Sequence, residues 1–369
     1  MTNRPPPGGG GAEPGLAAKA VRRLLTVHKP FVRRARRRAR EAEQRHYREE
    51  ALAVDREIAA VAAAPGPIVV GPWLAEVGYE VLYWIPLLRW LADRHGIPRE
   101  RLVAISRGGV GEWYADLAAT YVDILDVMTA EELAARNATR QQAEEGGGQK
   151  QSVTSPLDAA ILAAAAKKAG FAAGAVLHPS LLFRLFRQVW YGNLPLDFFW
   201  TRTSYTRVAP GERAALPAGV PAEFATVKFY SGVALPLTDA NQATVRALVS
   251  RLAATMPVVS LDADFGIDEH RDFDLSGIPN VTSARAWMTP ATNLAIQSRL
   301  IGQSRVFAGT CGGLAWLAPF LGVPTVAVYE DDHLLGTHLT IARQAGGACA
   351  AAEFAPFDLR AGRRLGLTP

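Results

Sequence analysis

The stretch Arg305-Val-Phe-Ala-Gly-Thr-Cys-Gly-Gly-Leu-Ala-Trp-Leu-Ala-Pro-Phe-Leu-Gly-Val-Pro-Thr-Val-Ala-Val-Tyr329 decides the fold. It opens on an apolar run of strand type, Arg305–Gly309. Thr310, Cys311, Gly312 and Gly313 follow, and an apolar helix over Gly312–Leu321 begins at once. Pro324–Tyr329 is a second strand-like run. A strand, a glycine turn, a helix and another strand in direct succession predict parallel strands covered by helices. The first N–H groups of a helix lack partners inside it and carry partial positive charge. Glycines at such an end let a diphosphate approach the backbone, so Gly312 and Gly313 are candidate phosphate contacts, with Thr310 offering a hydroxyl. Tight strand–helix packing alone would call for the same glycines.

The alternation continues on both sides. Phe224–Tyr230, Val258–Asp262 and Asn280–Ser283 read as strands. Thr238 or Asp239 caps a helix through Ala254, with Gln242 three residues after Asp239 as in a capping box. Thr289 and Pro290 start a helix to about Gln303. Residues 222–345 thus predict one doubly wound α/β domain, followed by a C-terminal tail, 346–369. Residues 203–221 are punctuated by Pro and Gly and read as an interdomain linker. A second domain of the same class is expected over 66–202. It has strands at Ile68–Trp73 and Arg101–Ser106, a turn at Gly78, and a helix over Glu80–His95 that Gly96 stops. Arg107, Gly108, Gly109 and Gly111 lead into a helix around Trp113–Tyr121. Residues 129–155 begin as a polar helix, end in Gly146-Gly147-Gly148, and predict a mobile insertion. Pro156–Gly170 and Pro179–Gly192 are apolar helices.

The chain has 369 residues, 49% hydrophobic and 20% charged, which is globular composition. Its charge is uneven. Residues 1–63 hold 14 Lys and Arg against 7 Asp and Glu, whereas the rest holds 26 against 28. A nucleic-acid-binding core should carry its own basic face, and this body is nearly neutral. Residues 1–15 read as a disordered lead and 16–63 as a basic helical arm. Six arginines crowd Phe31–Arg40. Attraction of residues 16–48 to an anionic membrane surface is one reading. Non-specific nucleic-acid contact and a plain solvated helix are the others. Cys311 and Cys349 are too few for a disulfide framework or a four-cysteine zinc site. The apolar run Ala159–Ala166 is too short to span a bilayer. No secretory leader is legible, and the expected location is cytoplasmic, with peripheral contact at the inner membrane face. Gly-X-Gly-X-X-Gly after a strand, Walker and Gly-X-Ser-X-Gly motifs are absent, against dinucleotide oxidoreductases, phosphate-loop ATPases and serine hydrolases.

The segment from Gly309 to Val326 resembles the donor-domain signature of two-Rossmann (GT-B type) glycosyltransferases. It is most similar to the heptosyltransferase-like group, in which a Ser/Thr-Gly pair precedes a helix and then Leu-Gly-Val-Pro-Thr. There the loop holds the diphosphate of a nucleotide sugar, which the resemblance places on Thr310, Gly312 and Gly313. A His is usual inside the following helix, where this chain reads Leu314-Ala315-Trp316-Leu317. Gly78-Tyr79-Glu80, with Pro86 six residues after Glu80, resembles the start of the same group. The acid at that place is its base, which implies Glu80, with Glu76 as the alternative acid. Gly78 and Arg107 would lie on the acceptor side.

A carboxylate suits removal of a proton from an acceptor hydroxyl. The leaving diphosphate needs donors, and Lys228 ends the first strand of the second domain, where doubly wound sheets bind ligands. A surface lysine is the plain alternative. Asp262 is a candidate ribose or base contact. Asp262-Ala-Asp264 also has a magnesium-site pattern, which a two-Rossmann architecture disfavours. Glu330-Asp331-Asp332-His333, Thr289, Thr292 and Asn293 are weaker contacts. The resemblance implies metal-independent transfer from a nucleotide-sugar donor to a carbohydrate or lipid-linked acceptor in bacterial surface polysaccharide synthesis. It implies no cofactor beyond that co-substrate and no specific nucleic-acid partner. The alternative is a catalytically silent two-Rossmann protein that binds a glycan or nucleotide as a membrane-associated interaction module.

Overall fold

The computed structural model describes residues 16–143, 151–172, 174–208, 215–263, 265, 270–333 and 335–366. The expected disordered lead, the Gly146-Gly147-Gly148 run and Asp264 lie outside them. The chain divides into two compact units, Met1–Glu50 and Ala51–Pro369. Helix α1 spans Leu16–Ala63. In the first unit its described side chains are exposed, save a half-buried Tyr47. They are laced by i,i+4 pairs such as Arg37–Glu41. No helix among the described residues is long and apolar enough to cross a membrane.

In the second unit the last turns of α1 bury Ala51, Val54, Ile58 and Ala62, a stripe at helical spacing. Glu57 and Asp55, on its flanks, pair with Arg184 and Arg202. Strand β1 (Ile68–Val70) follows, and then α2 (Val77–Tyr79), which passes through a π-helical turn (Glu80–Trp84) into α3 (Ile85–His95). Gly96 ends α3 in the left-handed region at φ 59°. Next come β2 (Leu102–Ser106), a 3-10 turn (Val110–Tyr114), β3 (Thr120–Asp123), α4 (Ala130–Ala143) and α5 (Pro156–Ala169). Strand β4 (Ala175–Leu177), α6 (Ser180–Trp190) and α7 (Leu196–Trp200) complete the first half. The sheet is wholly parallel in the order β3-β2-β1-β4. Val69, Val103, Ile105 and Val122 pack on Leu157, Ile161 and Ala165 of α5.

The second half contains β5 (Ala225–Lys228), α8 (Asp239–Ala253), β6 (Val258–Ser260), β7 (Val281–Ser283) and α9 (Asn293–Gln303). Then come β8 (Phe307–Thr310), α10 (Gly313–Phe320), β9 (Thr325–Tyr329), α11 (Gly336–Ala348), β10 (Phe354–Asp358) and α12 (Leu359–Arg364). All six strands are parallel, in the order β10-β9-β8-β5-β6-β7. The molecule is an α/β protein with two doubly wound parallel sheets, each covered by helices, as the alternation predicts.

Several local expectations are corrected. The helix expected around Trp113–Tyr121 is a 3-10 turn followed by strand β3. Trp113 is fully buried, and its indole donates to Ser298. Within the expected mobile insertion the Gln151 side chain is wholly buried, while Val153 and Thr154 are exposed. The start of the expected linker is tied to the body: Tyr205 donates to the Leu82 carbonyl, and the Val208 N–H bonds Phe320 O. Helix α9 starts at Asn293 rather than Pro290, because Thr289 and Thr292 hydroxyls bond each other in the preceding turn. Thr238 alone caps α8, while the Gln242 carboxamide bonds the Asp274 main chain instead of closing a capping box.

The tail is the largest correction. Residues 354–358 pair with β9 along its whole length, and Leu359 is fully buried in the core formed by Val227, Val245 and Val328. Truncation after Ala350 therefore bares the β9 edge and removes a core side chain. We expect a melting temperature lower by about 5 °C or more and self-association on size-exclusion chromatography.

Candidate functional site

In the second sheet the chain winds from β5 to β6 and β7 on one side and to β8, β9 and β10 on the other. The reversal lies between β5 and β8, and ligands of open α/β sheets bind beyond the strand C-termini at that point. Lys228 ends β5 and Thr310 ends β8. Gly312 and Gly313 follow, at φ 131° and 41°, and start α10.

The Thr310 hydroxyl is engaged within the protein. The residue is 2% exposed, its hydroxyl donates to the Tyr230 carbonyl at 2.8 Å, and it accepts from the Tyr230 N–H at 2.9 Å. It therefore fixes Tyr230, which lies over the glycine pair. A Cβ placed on Gly312 or Gly313 would be 3.0 or 3.2 Å from the Tyr230 hydroxyl oxygen. Lys228 is held by Asp272, with its Nζ 2.7 and 2.9 Å from the two carboxylate oxygens. Asp272 also accepts from the Ala263 N–H. Asp262 accepts from the Ser283 hydroxyl at 2.9 Å and lies 3.6 Å from the Arg285 guanidinium. Its other oxygen, Oδ1, is buried with no hydrogen-bond partner among the described residues. Glu330 is drawn away to Arg363 and Asn241, which hold its carboxyl below the usual range. Asn293 packs on Gly108.

The first sheet contributes the loop after β1. Gly78 lies against the start of α10. A Cβ there would meet the Trp316 ring at 2.7 Å and the Gly313 nitrogen at 2.9 Å. Glu76, two residues earlier, is half-buried, and its carbonyl accepts the N–H groups of Tyr79 and Glu80. Around this contact Tyr79, Tyr83, Trp190, Trp316 and His338 form one aromatic cluster. Both tyrosine hydroxyls meet the His338 ring nitrogens. Sequence reasoning missed Tyr230, Asp272 and His338. Only the place of Tyr230, two residues past the end of β5, was a usable signal.

Glu80 is not at the surface of the site. It is 0% exposed, and its Oε1 accepts from the Ser106 and Tyr114 hydroxyls at 2.6 Å each. Oε2 has no hydrogen-bond partner among the described residues. The carboxyl is closed to solvent in this conformation. Arg107 is likewise occupied, donating to the carbonyls of Trp73 and Ala75 at 3.2 and 3.0 Å. It ties the loop after β1 to the end of β2.

Burial pushes the Glu80 carboxyl up to about 7, against the favourable charge of Arg107 and the two hydroxyl bonds. An acid whose folded pKa is raised keeps its proton while the unfolded chain ionises. Its contribution to stability therefore falls between about pH 4.5 and 7 and is level above that. We expect the stability difference between wild type and Glu80→Gln, from urea titrations, to shift over that window to the disadvantage of wild type, by about 3 kcal/mol at most. A difference independent of pH would show that Glu80 is ionised throughout.

No protein family matches the chain, and no curated protein matches it in sequence. Solved structures match distantly. The E. coli heptosyltransferase WaaC with ADP is 13% identical, with 82% of this chain and 99% of that one covered and a TM-score of 0.40. A glycosyl transferase of family 9 from Veillonella parvula is 10% identical, with 82% and 88% covered and a TM-score of 0.43. The E. coli ADP-heptose heptosyltransferase II is 13% identical, with 72% and 85% covered and a TM-score of 0.38.

Proposed function

We propose that the protein is a glycosyltransferase that takes its sugar from a nucleotide-sugar donor held at the second sheet. The contact of Gly78 with Gly313 carries this reading. It sets Gly78, two residues after the half-buried Glu76, against a glycine turn of phosphate-binding type. Glu76 is then the base. It takes the proton of an acceptor hydroxyl, whose oxygen bonds to the anomeric carbon as the bond to the diphosphate breaks. The diphosphate leaves with the electron pair. The α10 N-terminus and the Tyr230 hydroxyl meet its charge, and Lys228 joins by turning from Asp272. These donors are the protein groups that metal-independent transfer uses. The unpartnered Asp262 oxygen suits a ribose hydroxyl, which would supply the missing donor.

A panel of ADP-, UDP-, GDP- and dTDP-sugars tests this by thermal shift and by release of the nucleotide. A binding donor at 100 times its Kd stabilises by about 2.7 kcal/mol. Gly313→Asp should abolish the shift by placing a carboxylate at the phosphate position. Glu76→Gln should keep the shift and lose about a hundredfold or more in turnover. The second reading, a silent glycan- or nucleotide-binding protein, is favoured by the burial of Glu80 and predicts a shift without turnover. Absence of any shift contradicts both.

The acceptor class follows from the arm in this proposal. The exposed arginines Arg33, Arg34, Arg37, Arg38 and Arg40 suit the anionic inner face of a bacterial membrane, where lipid-linked saccharides are extended. Co-sedimentation with phosphatidylglycerol vesicles should fall sharply when residues 1–50 are deleted, and should weaken in high salt. Equal binding by the deleted form would remove the arm from the reading.

A further inference from the structure

Main-chain polar atoms of the loop that carries Glu76 and Gly78 are bound from several segments, and one side chain from far along the chain makes three of those bonds. Gln151 is 0% exposed. Its Oε1 accepts the N–H groups of Leu74 and Ala75, at 2.7 and 3.2 Å. Its Nε2 donates to the Pro72 carbonyl at 2.9 Å and to Asp158 at 3.1 Å. Both lone-pair sites of the oxygen and both protons of the nitrogen are thus used. The reverse orientation of the amide would set donors against the two N–H groups and an acceptor against the Pro72 carbonyl, so a single orientation is consistent.

Other polar atoms of the loop are held from the sheet. The Gly71 N–H bonds Leu177 O, and the Trp73 N–H bonds Ile105 O. The carbonyls of Trp73 and Ala75 receive Arg107. Asp158, which anchors the Gln151 amide, is itself fixed by the Ser155 N–H and hydroxyl and stands beside His178. Among these partners Gln151 is the one that grips consecutive N–H groups with no strand to pair them. A carboxamide is the only side chain that offers two acceptor sites and two donors in this fork. Asn would be one methylene too short, and an acid lacks the donors.

We infer that Gln151 is a positioning residue that latches the loop after β1, which carries Glu76 and sets Gly78 against the start of α10. The link to Glu76 as base rests on the function proposed above, but the latch itself does not. Gln151→Met keeps the length and apolar bulk of the side chain and removes all four bonds. Amide hydrogen exchange, followed residue by residue in the full chain, should accelerate about tenfold or more at Leu74 and Ala75. The amides of Val103 and Ile105 in β2 should keep their rates. No change at Leu74 and Ala75, or an equal loss of protection through β2, would overturn the inference.

Wild type provides a second measurement, should the variant not fold. Its Leu74 and Ala75 amides should be as protected as those of β2. Exchange there at the rate of an open loop would refute the latch. With a nucleotide sugar that binds, Gln151→Met should lower kcat about tenfold and leave donor KM within about twofold. A change in donor KM alone would count against positioning of Glu76. Failure of the proposed function has a separate signature, since a Glu76→Gln enzyme with full turnover would remove the base and leave the exchange result standing.

Discussion

The contact between Gly78 and Gly313 is the constraint on which the arrangement of the two sheets depends. Gly78 lies against both the main chain of Gly313 and the Trp316 ring, and a single added Cβ would fall within 3 Å of each. Backbone against backbone is the nearest approach that two elements can make. It draws the C-terminal ends of both sheets together and brings the aromatic side chains of α2, α6, α10 and α11 into one cluster around it. Gly108 and Gly109 repeat the device, lying on the first turn of α9 with room for no Cβ. Glycines that look like ligand loops in sequence thus also serve as seams between the halves of the protein.

Polar groups buried near these seams have their partners chosen with care, because an unpaired buried group is costly. Asp123 accepts from the Gly109 and Leu125 N–H groups and from the Tyr121 hydroxyl. Burial pushes the Asp158 carboxyl up, but His178 and Ser155 outweigh it and keep the carboxyl below the usual range. Glu80 has only two hydroxyls, and burial prevails, raising its carboxyl toward neutrality. Donor number alone does not decide the direction: burial raises the Asp123 carboxyl in spite of its three donors, whereas Asp158 also has the His178 ring beside it. Glu80 sits in a π-helical turn, a form that widens the helix by one residue and turns this acid inward beneath the loop it supports.

Much of the architecture was legible in residues. Alternating apolar runs and glycine punctuation carried the two doubly wound sheets, and the glycine-opened α10 falls within a residue or so of its expected bounds. The misjudged elements share a cause. Strand β3 (Thr-Tyr-Val-Asp) and the C-terminal β10 (Phe-Ala-Pro-Phe-Asp) mix polar residues or a proline into the run, and their strand character comes from neighbouring strands rather than from their own pattern. The 151–155 segment follows a glycine run and looks loose, yet Gln151 is buried because main-chain groups far away need its amide. Among the candidate site residues, the strand-end positions of Lys228, Arg107 and Thr310 were readable. Their engagements were not, since Asp272, the Trp73 and Ala75 carbonyls and the Tyr230 main chain come from other segments.

The amino-acid sequence alone determined the fold class, the basic arm set apart from a near-neutral body, and the residue types present at the ends of strands. These are local properties, set by side-chain periodicity, backbone permissiveness and charge along the chain. Only the tertiary structure decided which of two nearby acids stays within reach of solvent, which polar side chains are already occupied, and which distant residue steadies the loop between them. Those outcomes depend on distances between segments, and hydrogen bonding and burial are decided at a few ångströms in space rather than by position in the chain.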